Sequence, residues 1–331
     1  MATISQIASE ANVSSTLVSR VLNNKPGVSP EKRARILSII EKHNFVPNAI
    51  ARTLATQKTN TIGVVMETLL NAFFFDFVRG IEDMAEEMKY SVVFGSGNND
   101  LGLMVDYIDY FSQGRVDGVI AHYTRTTENE HFYEIIKRAP SYVLVEGDIP
   151  GKVINKVQVS NFEGAYRATE HLIKRGCKNI VHFAGEMEWY CSKERANGFL
   201  RALKDNSIPT ENAIISADFL EDLSYNKMKL MISQNKIPDG CFAAADKAAY
   251  GILRAMYEHG LSAPDDMAVI GFDGDMPDTR TMVFPKLTTM RQPFYEIGRE
   301  AVRLLIRSIE DPNALPVTTA FNAEFVEGET A

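Results

Sequence analysis

Ser15, Thr16, Ser19, Arg20 and Asn23 fall on one face of a short helix near the start of this chain. Hydroxyls, an amide and a guanidinium at that spacing suit one kind of chemistry, reading base edges and phosphates from a helix laid in a major groove. Little else in the sequence competes as reactive chemistry. Gly95-Ser96-Gly97 is not a dinucleotide-binding fingerprint, and there is no phosphate-binding loop or nucleophile elbow. The six His (His43, His122, His131, His171, His182, His259) are scattered, and Cys177, Cys191 and Cys241 fit neither a metal site nor a disulfide framework. His122, at the end of an apolar run, is the His best placed to meet a ligand.

The polar face needs a scaffold, and the surrounding residues supply one. Thr3 with Gln6 three residues on fits a capping box. Ile4, Ile7, Ala8 and Ala11 share a helical face. Asn12 can take the left-handed turn conformation, and Ser14 caps the next helix, whose Val18, Val21 and Leu22 point back at the first. Ser29-Pro30-Glu31 opens a third helix. There Ala34, Leu37 and Ile40 are expected to face the core, with Ile36 and Ile39 widening the stripe. A small helical bundle with a solvated face would explain any one of these features; their ordered succession favours a DNA-reading head. Charge agrees. Residues 1–60 carry eight Lys/Arg against three Glu, a net of +5, whereas the whole chain is −8, leaving −13 on residues 61–331. A basic head on an acidic body concentrates phosphate attraction at one end.

The run Val13-Ser14 to Val18-Ser19-Arg20-Val21, followed by Asn44-Phe45-Val46-Pro47-Asn48-Ala49-Ile50-Ala51-Arg52-Thr53-Leu54-Ala55, resembles the lactose/galactose repressor (LacI/GalR) family. The resemblance covers nearly the whole chain. It implies that Pro47-Asn48 opens a hinge helix ordered on operator DNA and that Leu54 wedges into the minor groove at the operator centre, paired with the same residue of a second copy. A helix-packing role is the other reading of Leu54. The DNA-contacting set is then Thr3, Ser14, Ser15, Thr16, Leu17, Ser19, Arg20, Asn23, Asn48, Ala51 and Leu54. Leu17 stands where the family commonly has Thr, so the operator preference cannot be carried over.

From Thr61 onward, short apolar runs alternate with helical stretches in two βα series, which predicts two doubly wound parallel-sheet lobes. The expected strands lie at 62–66, 91–94, 118–120, 142–145, 179–183, 213–215, 240–244 and 267–272. With the resemblance, the fold class is an N-terminal all-α helix-turn-helix head plus an α/β periplasmic-binding-protein-like core. The expected domains are 1–46 for the head and 47–60 for the hinge helix and linker. The N-terminal lobe takes 61–156 and 291–320, and the C-terminal lobe 157–290 and 321–331.

Ligands of open parallel sheets sit beyond the carboxyl ends of strands. Asn71-Ala72-Phe73-Phe74 resembles the family's N-P-F-F segment. By the same resemblance Arg195, in Glu194-Arg195-Ala196-Asn197-Gly198-Phe199, grips sugar hydroxyls. Asp273 matches the family aspartate at the end of its strand, Phe219 packs on a sugar ring, and Glu146 is a pocket acid. His122, Trp189 and Asp246 complete the expected effector set with Phe73 and Phe74. Trp189, the only Trp, is either core or pocket. Ala245 stands where the family has Asn or Ser, and Lys247 adds a cation beyond it, which leaves room for a modified or acidic sugar.

These readings imply a homodimeric repressor of a carbohydrate operon on a palindromic operator, switched by a small sugar or derivative. No cofactor or metal is called for. With no apolar run of membrane-spanning length and no signal peptide, the expected location is the cytoplasm, on the nucleoid when bound to operator. The chain ends without a heptad helix, which favours a dimer. Gln292-Pro293-Phe294-Tyr295-Glu296-Ile297-Gly298 with Arg303 also resembles catabolite-control regulators, which take a phosphorylated carrier protein as corepressor. A sugar-active enzyme and a solute-binding protein are the readings from other classes.

Overall fold

Thr3, Ser14 and Ser29 each begin a helix: α1 (Ile4–Ala11), α2 (Ser15–Leu22) and α3 (Pro30–Lys42). The computed structural model describes residues 2–45, 58–69, 74–126, 129–274 and 285–331, and the chain divides after Thr59 into two units. In the first unit the Thr3–Gln6 capping box is formed in both directions, and Ser14 Oγ accepts from the Leu17 amide at 3.2 Å. Asn12 takes the left-handed conformation at φ 50° between α1 and α2. Ile7, Ala8, Ala11, Val18, Val21, Ile36 and Ile39 make the small core.

One expectation for α3 is corrected. Ala34 and Leu37 are exposed, and the inward stripe is Ile36 and Ile39, with Ile40 half-buried. Ile36 and Ile39 lie three apart and so point the same way. Leu37 is turned about 100° from Ile36 and is 46% exposed. The apolar residues of this helix cover more than one face, so periodicity alone did not choose between stripes.

The second unit holds two six-stranded sheets. The first is β11-β5-β4-β3-β1-β2, from β1 (Thr61–Met66), β2 (Ser91–Ser96), β3 (Gly118–His122), β4 (Tyr142–Val145), β5 (Lys156–Val159) and β11 (Thr318–Phe321). The second is β12-β10-β9-β8-β6-β7, from β6 (Ile180–Ala184), β7 (Ile214–Ser216), β8 (Gly240–Ala243), β9 (Ala268–Asp273), β10 (Thr288–Arg291) and β12 (Glu324–Val326). Among the described residues every ladder is parallel except β10–β12, which is antiparallel. Between the strands run α4 (Phe75–Glu87), α5 (Leu101–Ser112), α6 (Asn129–Ile136), α7 (Asn161–Lys174), α8 (Tyr190–Asp205), α9 (Glu221–Ser233), α10 (Asp246–Glu258) and α11 (Phe294–Glu310).

The chain passes between the sheets after Val159, after Arg291 and after Phe321. The crossings expected near 157, 290 and 321 therefore fall at or inside β5, β10 and β11. β5, β10, β11, β12 and α11 had no place among the eight expected strands and their helices. The four strands are three or four residues long. α11 packs along α4 at close range: a Cβ on Gly80 would lie 2.1 Å from the Tyr295 carbonyl oxygen, and one on Gly298 2.3 Å from that of Phe77. The two glycines let the helix backbones meet.

Candidate functional site

The carboxyl ends of both sheets face one cavity of about 400 Å³. In the first lobe β1 delivers Glu67, β3 delivers His122, Thr124 and Arg125, and β4 delivers Glu146. In the second, β6 delivers Glu186, β7 Asp218 and Phe219, β8 Ala245, and β9 Asp273. Trp189 and Arg195 enter from the start of α8, and Gln292 from the second crossing. Of the expected effector residues, Phe74, His122, Glu146, Trp189, Arg195, Phe219 and Asp273 line the cavity. Phe73 lies outside the described residues.

Asp246 is not brought to the cavity. Its side chain is fully buried behind the start of α10, where Oδ1 accepts from Thr289 Oγ1 at 2.6 Å. Its neighbours Ala245 and Lys247 line the cavity instead, because successive helical residues point about 100° apart.

A buried polar chain crosses between the lobes beside the first crossing. Glu146 Oε1 accepts from the Val159 amide at 2.6 Å and Oε2 from Asn161 Nδ2 at 3.3 Å. Asn161 Oδ1 accepts from Arg195 Nε at 2.8 Å, and Arg195 Nη1 donates to the Ala244 carbonyl and lies 3.5 Å from Asp273 Oδ1. Asp273 accepts from Gln292 Nε2 at 2.6 Å. The Arg195 guanidinium also lies 3.8 Å over the Phe272 ring. Asn161 was not foreseen; its place two residues after the end of β5, at a lobe crossing, is the one signal that could have pointed to it.

Burial governs the titrating groups here. It pushes Glu146 up to about 7, against the opposing pull of the Val159 amide, Arg195 and Asn161. It holds the Glu67 carboxyl above its ordinary range, opposed first by the hydroxyl of Thr124. It pulls His122 down to about 4, so this imidazole is neutral at pH 7. Two aromatic groups stand in the walls: Phe74 meets His122 edge-on at 4.9 Å and Phe294 at 6.1 Å, while Trp189 and Phe219 lie 5.3 Å apart. Phe219 and Asp218 both take positive φ, 59° and 50°, which costs non-glycine residues energy and holds Phe219 over Gly185.

The lobes also touch across the cavity rim. Arg125 and Trp189 form an antiparallel bridge, with the Tyr190 amide donating to the Thr124 carbonyl and the Thr126 amide to that of Glu188, both at 2.7 Å. Lys193 Nζ donates to Thr126 Oγ1 at 2.7 Å.

In the first unit Ser15, Thr16, Arg20 and Asn23 are exposed on α2, with Ser19 half-buried. Thr3 and Ser14 serve as helix caps, and Leu17 is partly buried against the small core. Arg20 Nη2 donates to the Pro26 carbonyl at 2.6 Å, which steadies the guanidinium beside the α2–α3 turn. Asn23 Nδ2 donates back to the Ser19 carbonyl at 2.8 Å. Asn48, Ala51 and Leu54 lie outside the described residues.

The pattern described as "Bacterial regulatory proteins, lacI family" matches residues 3–48, and that described as "Periplasmic binding protein-like domain" matches residues 169–331. Catabolite control protein A of Priestia megaterium is 34% identical over 310 residues, 92% of each chain. The chain belongs to the LacI family of bacterial transcription regulators. The ribose operon repressor of Halalkalibacterium halodurans, another such relative, is 33% identical over 94% of this chain and 91% of its own. The Lac repressor dimer bound to operator and the anti-inducer ONPF superposes with a TM-score of 0.88 at 23% identity, covering 99% of this chain and 98% of that one. That likeness carries the fold: a helix-turn-helix head and a two-lobed α/β core.

Within this LacI-family chain, the Gln292–Gly298 stretch has structural employment. Gln292 bonds Asp273, Phe294 and Ile297 are buried, and Gly298 lets α11 approach α4. Among the described residues no helix is long and apolar enough to cross a membrane.

Proposed function

We propose that this LacI-family regulator is a repressor of carbohydrate-utilisation genes that binds a palindromic operator as a homodimer and is switched by a sugar or sugar derivative held between its lobes. The observation that carries the reading is the lobe-spanning chain Glu146–Asn161–Arg195–Asp273 in the wall of a cavity walled by aromatic rings. Planar guanidinium and carboxylate groups suit vicinal hydroxyls, and aromatic faces suit the apolar face of a sugar ring. A ligand touching both lobes differs in affinity for their closed and open arrangements, and that difference is the only free energy available to move the DNA-binding equilibrium. The ribose operon repressor among its relatives supports a carbohydrate effector.

In this reading Ser15, Thr16, Ser19, Arg20 and Asn23 meet bases and phosphates, with Thr3, Ser14 and Leu17 beside them. Asn48, Ala51 and Leu54 act at the operator centre. The protein turns over no substrate and works in the cytoplasm. Duplexes selected from a random pool by the full-length protein should be palindromic. One member of a sugar panel should change affinity for the selected duplex at least fivefold. Duplexes without twofold symmetry would refute the operator reading. A panel with no effect on DNA binding would refute the sugar switch and turn attention to a phosphorylated carrier protein.

A further inference from the structure

The cavity holds a buried carboxyl and buried polar atoms left without partners among the described residues. Glu67 is 7% exposed at the end of β1, and Oε2 accepts from Thr124 Oγ1 at 2.8 Å. The Thr124 backbone and the Arg125 charge also favour the ionised form of this carboxyl. His122 Nδ1 is buried, unpartnered and 3.8 Å from the same Oε2. Gln292, 6% exposed, has its amide nitrogen committed to Asp273 and its Oε1 buried without a partner. On the donor side Trp189 Nε1 is the buried lining atom left without a partner among the described residues.

Charge points the same way. Among the described residues, five carboxyls line the cavity against three cations. These cations are already engaged: Arg125 with the Asn99 carbonyl, Arg195 with Asn161 and the Ala244 carbonyl, and Lys247 with neighbours of its own. Buried acceptors without donors are costly, and a buried carboxylate more so. A carboxylate or phosphate on the ligand would bring further acceptors to this wall. An ammonium brings three donors, no acceptor and the missing charge. A hydroxyl supplies a donor without the charge.

We infer that the effector carries a protonated amino group seated against Glu67 and His122, making it an amino sugar or a similar amine-bearing polyol, and that Glu67 is the residue that selects it. This rests on the cavity being the effector site. Burial holds Glu67 above the ordinary carboxylate range, and an ammonium beside it favours the ionised form.

The test uses the full-length protein in isothermal titration with three matched series: glucose, galactose and mannose, their 2-amino-2-deoxy analogues, and their uronic acids. At least one amine should bind ten times more tightly than its parent sugar, and the matching uronic acid should not compete. Glu67→Gln should erase the amine preference while the unliganded protein keeps its melting temperature within a few degrees. A neutral sugar or uronic acid that binds as tightly as its amine overturns the inference and leaves the effector reading standing. A blank across all three series overturns both. An amine preference that survives in Glu67→Gln removes Glu67 from the role.

Discussion

Arg195 and Glu146 show how a buried polar residue can be necessary and costly at once. Arg195 is 4% exposed with Asp273 3.5 Å away. Arg195→Ala should lower core stability by about 3–5 kcal/mol, because it removes the buried cation that joins Asn161, the Ala244 carbonyl and the part-buried Asp273; denaturant unfolding that shows under 1 kcal/mol would contradict this. Glu146 titrates near 7 in the fold against an ordinary value of 4.5. Its protonation therefore favours the folded state: the contribution is full below about pH 4.5 and is lost as pH rises through 7. Glu146→Gln keeps an acceptor for the Val159 amide and removes the charge. Its stability relative to the natural protein should rise by up to about 3 kcal/mol between pH 5 and pH 8, read from melting curves; a flat difference would refute the assignment. Arg195 and Asp273 were legible through their motifs. Glu67 and Asn161 were not, since their meaning comes from Thr124 and Arg195, 57 and 34 positions away.

Caps and close approaches act at the scale of elements. Ser14 caps α2, the helix that carries the candidate base-reading side chains. Ser14→Ala should cost the first unit about 1 kcal/mol, measurable on the isolated head if it folds or through the weaker DNA affinity of the full chain. Gly298→Ala drives a methyl into the Phe77 carbonyl on α4, so α11 must shift, at a cost of at least about 2 kcal/mol. An unchanged melting temperature would show that the helices can part freely. Caps were readable because they involve neighbours three residues apart. β5, β10, β11 and β12 were not, because runs this short carry almost no periodic signal and exist only by pairing with strands already in place.

The whole molecule divides into a basic head and an acidic core. Residues 60–331 should fold and melt alone with the same transition as in the full protein while losing DNA binding, because the head has its own core. DNA affinity of the full chain should fall steeply with salt, since the net +5 of residues 1–60 acts through phosphate contacts; a salt-independent affinity would refute that. The sequence by itself determined the head, its caps, the two βα series and the family, because those depend on local spacing and on motifs that survive divergence. Only the tertiary structure decided which face of α3 turns inward, that Asp246 turns away from the cavity, and that Glu67, His122 and Gln292 share it. Strand pairing and lobe crossing bring together residues separated by more than two hundred positions, and the chemistry of the cavity arises where they meet.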